Sequence, residues 1–443
     1  MSEHDATTKR ADGLVMFGLT GDLGSIKLFP ALYELAASGR LDGITVIGAG
    51  RSEHSDDALN SMFHEAMEGV EPAGGGDVDP AIVDGVDLRY VSGDSTKADT
   101  YDRLLDTLGD VERPVVYAAV PPDLFGDIAA ALSSSRFPDT TRLVVEKPFG
   151  TSADDARSLY DTITGEIDAE HLFIVDHFLA KAAVENLVIV RSNAILHNSL
   201  HRGAVDRVEV VMKEEGDVEG RGSFYEGVGV VDDVVQNHLL QSLAMAMMDQ
   251  PVDDSDDALI SARRNLLSSM TPADPGAATF GQYRGYRDVE DVADDSTVAT
   301  FVSLTTSVDS DRWRGVPITI TTGKALDETV TTITFHLSPI EGGGVDEPNQ
   351  IVFELKPQPR IVIDLQVLSS GDHRTTDERA IVCGPDDHGD LGDYATMLDN
   401  ALTGERRHFA DIDGVIAAWK VVDPLNGSDV DPEPYEPGST GPA

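Results

Sequence analysis

The sequence is poor in cysteine and in long apolar runs. Its one cysteine, Cys383, excludes a disulfide within the chain and indicates a reducing compartment. The opening MSEHDATTKRAD is polar and has no apolar core of the kind that signal peptides carry. The longest nearly apolar run, LLQSLAMAMM at 239–248, is too short to span a bilayer. We therefore expect a cytoplasmic protein without a membrane span.

Basic residues are also scarce, with 33 Lys and Arg against 79 Asp and Glu and a net charge of −46. This balance argues against nucleic acids and anionic membranes as partners. Hydrophobic residues make up 41% of the chain, and their periodicity favours folded cores over disorder. The acidic residues are spread along the chain, as in halophilic proteins, where salt at about 1 M shortens the Debye length to ~3 Å and screens repulsion. No metal site is predicted.

The first part of the chain alternates short β-rich runs with helical ones. GLVMFG (13–18), ITVIGAG (44–50), PVVYAAVPP (114–122), TRLVVEKPFG (141–150) and FIVDHF (173–178) are typical of buried strands. Helical stretches separate them, which predicts a parallel, doubly wound α/β sheet. We assign residues 1–176 to this dinucleotide-binding domain.

The pattern changes after this point. Six runs between DRVEVVMKEEG and PRIVIDLQVL alternate as strands, and most of their connections are too short for crossover helices. We predict an α+β domain over 177–443 with a large, mostly antiparallel sheet, flanked by helices near 230–250 and 393–420. The tail after Asn426 is rich in Asp, Pro and Gly and is expected to be irregular.

A glycine-rich turn, GLTGDLGSIK (18–27), follows the first strand. Glycines let the backbone approach a diphosphate, and the N-terminus of the next helix offers free N–H groups. The spacing G-x-x-G-x-x-G differs from the commoner G-x-G-x-x-G, so a plain strand-to-helix turn is the alternative. The Asp22 carboxylate would repel a diphosphate, so we expect it to cap its own helix. The predicted cofactor-binding residues here are Gly18, Thr20, Gly21, Leu23 and Gly24, with Lys27 one turn further along.

The residue after the second strand favours one nicotinamide cofactor over the other. Arg51 follows Gly50, where NAD-selective sites usually carry an acidic residue for the ribose hydroxyls. Arginine suits a 2′-phosphate. We therefore predict NADP, with NAD left open because Glu53 is two residues away.

Four stretches, GLTGDLGSIKLFP, VEKPFG, DHFLAK and EGRGSFYEGVGVVDDVVQNHLLQ, resemble in this order motifs of the glucose-6-phosphate dehydrogenase family. GQY (281–283), GKALDE (323–328), AAWKVVDPL (417–425) and YEPGSTGP (435–442) extend the resemblance to Pro442. It implies a Rossmann domain and a larger α+β domain whose sheet commonly forms a dimer interface, so a homodimer or dimer of dimers is expected. It also implies oxidation of glucose 6-phosphate at C1 to 6-phosphogluconolactone, the first step of an oxidative pentose phosphate route.

The expected reaction needs a base that takes the hydroxyl proton as the C1–H bond breaks. His238, in VVQNHLL, is the candidate, although a lone histidine is more often a core residue. We place it early in a helix, where the dipole would keep its imidazole neutral. The resemblance implies that Asp176 of DHFLAK orients His238 and stabilises its imidazolium form.

The resemblance also implies a set of substrate-binding residues. His177 and Lys181 are four apart and would share one face of a helix, which suits a phosphate monoester, although two exposed polar residues fit the same spacing. Glu214, Asp233 and Lys324 match positions that contact sugar hydroxyls. Lys147, in VEKPFG, stands where ligands bind in such sheets and is assigned to both cofactor and substrate, and the bond before Pro148 lies in a motif that allows cis.

Some positions depart from the family pattern. Phe178 stands where tyrosine is usual, Ala182 where an acidic residue is usual, Lys356 where glutamine is common and Asp232 where arginine is common. These departures concern the sugar more than the reaction. A dehydrogenase of another sugar or sugar phosphate therefore remains an alternative. A non-catalytic, nucleotide-binding assembly or regulatory protein is another, although retention of Asp176 and His238 argues against it.

Overall fold

The computed structural model describes residues 10–218, 220–340, 349–368, 376–383, 391–426 and 430–442. The chain forms two compact units. The first unit comprises the described residues of Met1–Ala182 and Asp387–Ile412, and the second those of Ala183–Asp386 and Asp413–Ala443.

The strands and helices alternate in the first part of the chain, and the strands are grouped in the second. The strands are β1 (Gly13–Phe17), β2 (Thr45–Gly50), β3 (Leu88–Ser92), β4 (Pro114–Ala118), β5 (Arg142–Val145), β6 (Leu172–Val175), β7 (Val205–Lys213), β8 (Thr279–Tyr283), β9 (Phe301–Ser307), β10 (Pro317–Gly323), β11 (Val330–Leu337), β12 (Gln350–Lys356), β13 (Arg360–Leu368), β14 (Thr376–Cys383), β15 (Phe409–Ala410) and β16 (Glu433–Tyr435). The α-helices are α1 (Phe29–Ala37), α2 (Asp56–Met67), α3 (Pro80–Gly85), α4 (Ala98–Leu108), α5 (Phe125–Ser133), α6 (Ala153–Thr164), α7 (Ala182–Arg191), α8 (Ala194–Ser199), α9 (Gly222–Val230), α10 (Leu240–Met247), α11 (Asp256–Ser268), α12 (Asp393–Thr403) and α13 (Ile412–Val422).

The sheet of the first unit has the order β15-β6-β5-β4-β1-β2-β3. All its pairs are parallel except β15 with β6. Every residue of β1, β4, β5 and β6 is buried, which is the reason that these strands read as unbroken apolar runs. The order 3-2-1-4-5-6 is that of a doubly wound Rossmann sheet, so the predicted fold of this part is confirmed.

The C-terminal part of the chain returns to the first unit, which differs from the predicted boundary between residues 176 and 177. β15 pairs with the edge strand β6, and the buried guanidinium of Arg142 donates to the carbonyls of Ala401 (2.9 Å) and Leu402 (2.8 Å) at the end of α12. The strand β15 thus satisfies the backbone groups at the edge of the sheet, and Arg142 satisfies the last carbonyls of α12. The helix predicted over 393–420 is accordingly two helices separated by β15.

The second unit contains a nine-stranded sheet of order β14-β13-β12-β11-β7-β10-β9-β8-β16. It is mostly antiparallel, as predicted, but β7 pairs with β10 and β8 with β16 in parallel. The tail expected to be irregular therefore contributes an edge strand. Its Tyr435 is buried, and its hydroxyl donates to the carbonyl of Lys324 (2.6 Å), so this residue ties the tail to the sheet.

A long helical run packs in the second unit and contains the motif around His238. α9 is followed by a π-helical stretch, Val231–Leu239, and then by α10. Gly229, at φ 65°, kinks the run just before the π-helical stretch. Every residue of α10 is buried, which is the reason for the apolar run at 239–248. No helix within the described residues is long and apolar enough to cross a membrane.

A single methyl group added to the glycine turn is expected to destabilise the fold. A Cβ at Gly24 would lie 1.7 Å from the carbonyl oxygen of Leu19, a backbone atom that cannot move aside alone. Gly24→Ala should therefore lower the free energy of unfolding by about 1–3 kcal/mol, despite the better helix propensity of alanine. Urea denaturation at fixed salt measures this change.

Gly85→Ala is the matched control, because a Cβ at Gly85, at the end of α3, meets no atom within 4 Å. Its stability should stay within about 1 kcal/mol of the parent. Equal denaturation midpoints for the two variants would contradict the close approach at Gly24.

Candidate active site

The glycine turn after β1 has the geometry of a diphosphate-binding loop. Gly18 adopts φ 82°, and a Cβ there would lie 2.1 Å from the carbonyl oxygen of Ala119, so only glycine fits. The N–H of Gly21 donates to the Gly18 carbonyl (3.0 Å). A helical stretch begins at Asp22 and runs through a π-helical segment, Gly24–Leu28, into α1. Gly21 is exposed and Thr20 partly so, which leaves the N-terminus of the helix open to a ligand.

The other predicted residues of this loop lie on either side of the helix start. Leu23 is partly buried against the core, Gly24 is buried, and Lys27 is exposed. Asp22 is exposed within the first turn and accepts no hydrogen bond from the described residues, so the predicted cap is wrong. The helix begins at Asp22 itself, which places this residue inside the helix and not at the capping position before it.

Arg51 lies directly after the end of β2, at the same edge of the sheet. It is exposed, as is Glu53. The hydroxyl of Tyr90, on β3, donates to the Ser52 carbonyl (2.8 Å) and fixes the backbone beside Arg51. The glycine turn, the open helix start and this arginine together fit a nicotinamide dinucleotide.

A buried carboxyl group stands at the end of β5, next to Lys147. Glu146 is buried, and the hydroxyl of Tyr117 donates to it. Burial raises the pKa of Glu146, even though Tyr117 and Lys147 act in the opposite direction. The pKa of Tyr394 is raised chiefly by burial, and its hydroxyl also bonds to Glu146. Two tyrosine hydroxyls thus bind the Glu146 carboxyl group, and the bond between the next two residues, Lys147 and Pro148, is cis.

The DHFLAK segment forms a 3₁₀ turn, His177–Ala180, after β6. The Asp176 carboxylate caps this turn by accepting from the N–H of Phe178 (3.1 Å). The predicted α-helical face shared by His177 and Lys181 is therefore wrong, because the turn ends before Lys181, which has an extended backbone. The side chain of Lys181 nevertheless covers this turn, with its ammonium 4.8 Å from the centre of the Phe178 ring.

The first turn of α12 brings two residues to this turn that sequence reasoning missed. The Lys181 ammonium donates to Oδ2 of Asp393 (3.0 Å), and the Tyr394 ring stacks on the His177 ring with 5.2 Å between centres. Burial would raise the pKa of Asp393, but Lys181, His177 and Lys27 outweigh it and hold this pKa below its usual range. Asp393 follows Lys181 by 212 residues, and no local pattern links them.

In the second unit, the predicted residues Glu214 and Lys324 form an ion pair. The backbone of Lys324 is held at both ends, since its N–H donates to the Thr300 carbonyl (2.9 Å) and its carbonyl accepts from Tyr435. The residue after it, Ala325, adopts φ 51°, a conformation that the surrounding hydrogen bonds impose. The ammonium of Lys324 is thus placed by the sheet and the C-terminal tail.

Asp233 and His238 both lie in the π-helical stretch and are buried. Burial, followed by the charge of Asp233, raises the pKa of the Tyr225 phenol. The expectation that His238 lies early in a helix is wrong. The helical run resumes at Val230 after the kink at Gly229, and His238 lies in the last turn of the π-helical stretch that follows. The helix dipole acts mainly within the first turn, so the argument from the dipole does not apply at this position. π-helical turns are frequent at functional sites.

The neighbour of Asp233 has an unusual acidity. The side chain of Asn426 donates to Oδ1 of Asp232 (3.0 Å), and the side chain of Asn237 donates to its carbonyl (2.8 Å). Burial raises the pKa of Asp232 to about 6, and the nearby Asp423 adds to this effect.

Two family models match the chain almost from end to end. The "Glucose-6-phosphate dehydrogenase, NAD binding domain" matches residues 15–186, and the "Glucose-6-phosphate dehydrogenase, C-terminal domain" matches residues 187–443. Among curated relatives, "Glucose-6-phosphate 1-dehydrogenase 1" of Mycobacterium tuberculosis is 34% identical, over 98% of this chain and 93% of its own length.

Solved structures agree with these matches. The crystal structure of glucose-6-phosphate 1-dehydrogenase from Mycobacterium avium superposes with a TM-score of 0.90 at 35% identity, covering 98% of this chain and 95% of its own. A glucose-6-phosphate dehydrogenase in complex with its substrate gives a TM-score of 0.90 at 27% identity, covering 98% and 96%.

The fold, the glycine turn and these likenesses define a two-domain nicotinamide-dependent oxidoreductase. The chain belongs to the glucose-6-phosphate dehydrogenase family.

The raised pKa of Asp232 predicts a pH-dependent penalty. The native state binds this proton more tightly than the unfolded chain, so stability falls as pH rises from about 4 to 6 and stays reduced above. Asp232→Asn keeps an acceptor for Asn426 and removes the charge. At pH 7.5 it should raise the free energy of unfolding by about 1–2 kcal/mol, allowing for solvent screening. Near pH 4 this gain should vanish, as followed by urea denaturation.

Asp254→Asn, at an exposed aspartate of the same unit, controls for the change in net charge. A gain at Asp232 that is independent of pH, or that Asp254→Asn reproduces, would contradict the assigned pKa.

Proposed function

We propose that this chain oxidises glucose 6-phosphate at C1 to 6-phosphogluconolactone, with NADP as the hydride acceptor, as in the first step of an oxidative pentose phosphate route. The observation that carries this proposal is family membership across both units, together with two basic residues, His177 and Lys181, at the start and just after the end of the 3₁₀ turn that follows β6. The substrate complex of a relative supports the choice of glucose 6-phosphate.

We assign the proton transfer to His238. Its imidazole takes the proton of the C1 hydroxyl as the C1–H bond breaks, and the new carbonyl of the lactone forms from that oxygen. The dinucleotide that the turn of Gly18 and Gly21 and the side chain of Arg51 would hold would supply the hydride acceptor, so that the balanced products are the lactone, the reduced cofactor and one proton on His238. Asp176 is proposed as the carboxylate that stabilises the resulting imidazolium.

The substrate-binding roles follow the chemistry of the side chains. Carboxylates accept from vicinal hydroxyls, which suits Glu214 and Asp233, and the Lys324 ammonium donates to a sugar oxygen. His177 and Lys181 are proposed to bind the phosphate, with charge-assisted hydrogen bonds that are shorter and stronger than neutral ones. Lys147, at the end of β5, is proposed to contact both cofactor and substrate.

A dehydrogenase of an uncharged sugar is the second candidate. The observation that favours it is the ion pair of Lys181 with Asp393, which already neutralises the lysine. Phe178 also offers no hydroxyl to a phosphate, unlike the tyrosine usual in the family.

Replacement of the proposed base tests the mechanism. His238→Asn should lower kcat with glucose 6-phosphate by about 10²–10⁴-fold, because general base catalysis is worth that much. Binding of NADP, followed by fluorescence titration, should stay near that of the parent. Asn426→Ala, a change in the same unit that removes only a hydrogen bond to Asp232, serves as the control.

Turnover that survives in His238→Asn would place the base elsewhere. Assays of the parent in molar KCl with glucose 6-phosphate, free glucose and other hexose phosphates separate the two candidates. Turnover with glucose but not with its phosphate would contradict the main proposal and support the second one.

The cofactor preference depends on Arg51. Arg51→Ala should raise the KM for NADP about tenfold or more and change that for NAD little, because only NADP carries the 2′-phosphate. Initial rates with each cofactor measure the two KM values. Equal losses with both cofactors would remove the preference.

We further propose a homodimer or dimer of dimers in a cytoplasm of high salt. The exposed apolar side chains of Leu365, Val367 and Val382, on neighbouring strands β13 and β14, support pairing through the sheet. The net charge of −46 supports function in concentrated salt.

A further inference from the structure

One carboxylate of the first unit lies among three basic side chains that were assigned to ligands. Oδ2 of Asp393 accepts from the Lys181 ammonium at 3.0 Å. Lys27 and His177 are also near enough to act on Asp393 electrostatically. His177 and Lys181 form the phosphate clamp of the proposed function, and Lys27 is the basic residue that was assigned to the cofactor. The carboxylate of Asp393 therefore already occupies a site that is lined by basic side chains.

This carboxylate is held by its own helix as well as by Lys181. Asp393 is the first residue of α12, and its Oδ1 accepts from the N–H of Tyr394 at 3.0 Å. The N-terminal end of this 11-residue helix also favours a negative charge. Loss of the bond to Lys181 would thus leave Asp393 with a partner, so the lysine can be released without stranding a buried charge.

The pair is open to an incoming ligand. The side chain of Lys181 is 32% exposed and that of Asp393 is 21% exposed. A ligand can therefore approach the ammonium from solvent. An ion pair that was fully buried would instead be a structural element of the core.

We propose that Asp393 is a specificity-determining residue, an internal anion that occupies the phosphate clamp until the phosphate of a substrate takes Lys181 from it. This inference rests on the proposed function of the clamp. A phosphate monoester carries a charge of about −1.5 to −2 and three acceptor oxygens, whereas Asp393 offers one charge and one oxygen to the lysine. A dianion therefore displaces Asp393 from Lys181 more effectively than a monoanion does.

The consequence is selection of the ligand by charge. Repulsion from the Asp393 carboxylate weakens the binding of every anion at the clamp. Only the stronger interactions of a dianion with the basic residues overcome this repulsion. Monovalent anions, such as chloride in concentrated salt, are kept out. An uncharged sugar neither gains nor loses from the exchange.

Asp393→Asn tests this inference, because asparagine keeps the shape and an acceptor for Tyr394 while it removes the charge. The KM for glucose 6-phosphate should fall about tenfold, and binding of inorganic phosphate, measured by isothermal titration calorimetry, should tighten to the same extent. Chloride should become a stronger competitor against glucose 6-phosphate. The kcat/KM for free glucose should not change.

Asp57→Asn is the matched control, since it removes an exposed acidic residue from the first turn of α2, away from the clamp. It should leave all four quantities unchanged. A KM for glucose 6-phosphate that is unchanged or raised in Asp393→Asn, with its thermal stability retained, would overturn the inference and assign Asp393 to the orientation of Lys181.

The calorimetric measurement separates this inference from the proposed function. If the parent does not oxidise glucose 6-phosphate, the proposed reaction fails. Tighter phosphate binding by Asp393→Asn would still support the internal anion, and unchanged or weaker binding would overturn it whatever the parent oxidises.

Discussion

The structure of the first unit depends on one buried guanidinium. Arg142, at the start of β5, binds the last carbonyls of α12 and so joins the Rossmann sheet to a helix that follows it by some 250 residues. Because the C-terminal end of α12 is held here, its N-terminal end is directed to the turn after β6, where Asp393 and Tyr394 contact Lys181 and His177. The predicted phosphate clamp is therefore shared between distant parts of the chain.

Each of the two units contains a predicted ligand-binding lysine that is paired with a carboxylate. The chain has 79 acidic and 33 basic residues, so a lysine proposed to bind a ligand has carboxylates available as alternative partners. In the first unit Lys181 pairs with Asp393, and in the second Lys324 pairs with Glu214. A defined carboxylate pairs with each ammonium, and this arrangement compensates a partly buried charge.

Much of the fold could be predicted because local patterns determine it. Buried parallel strands read as apolar runs, and the glycine turn has the spacing that its close contacts to Leu19 and Ala119 require. Other features depend on partners far along the chain. The tail around Tyr435 looks irregular by composition, yet it is a strand because β8 offers it an edge. The DHFLAK segment is a short 3₁₀ turn capped by Asp176 and not the expected helix, and nothing near Lys181 in the sequence indicates Asp393.

The central claim is that the substrate phosphate replaces Asp393 as the partner of Lys181. A crystal structure of the chain with glucose 6-phosphate tests it most directly. We predict a phosphate oxygen about 2.7–2.9 Å from the Lys181 ammonium, with the His177 ring also in contact and Asp393 bonded only to the helix. A phosphate bound at another place, with the Lys181–Asp393 pair intact, would contradict the account.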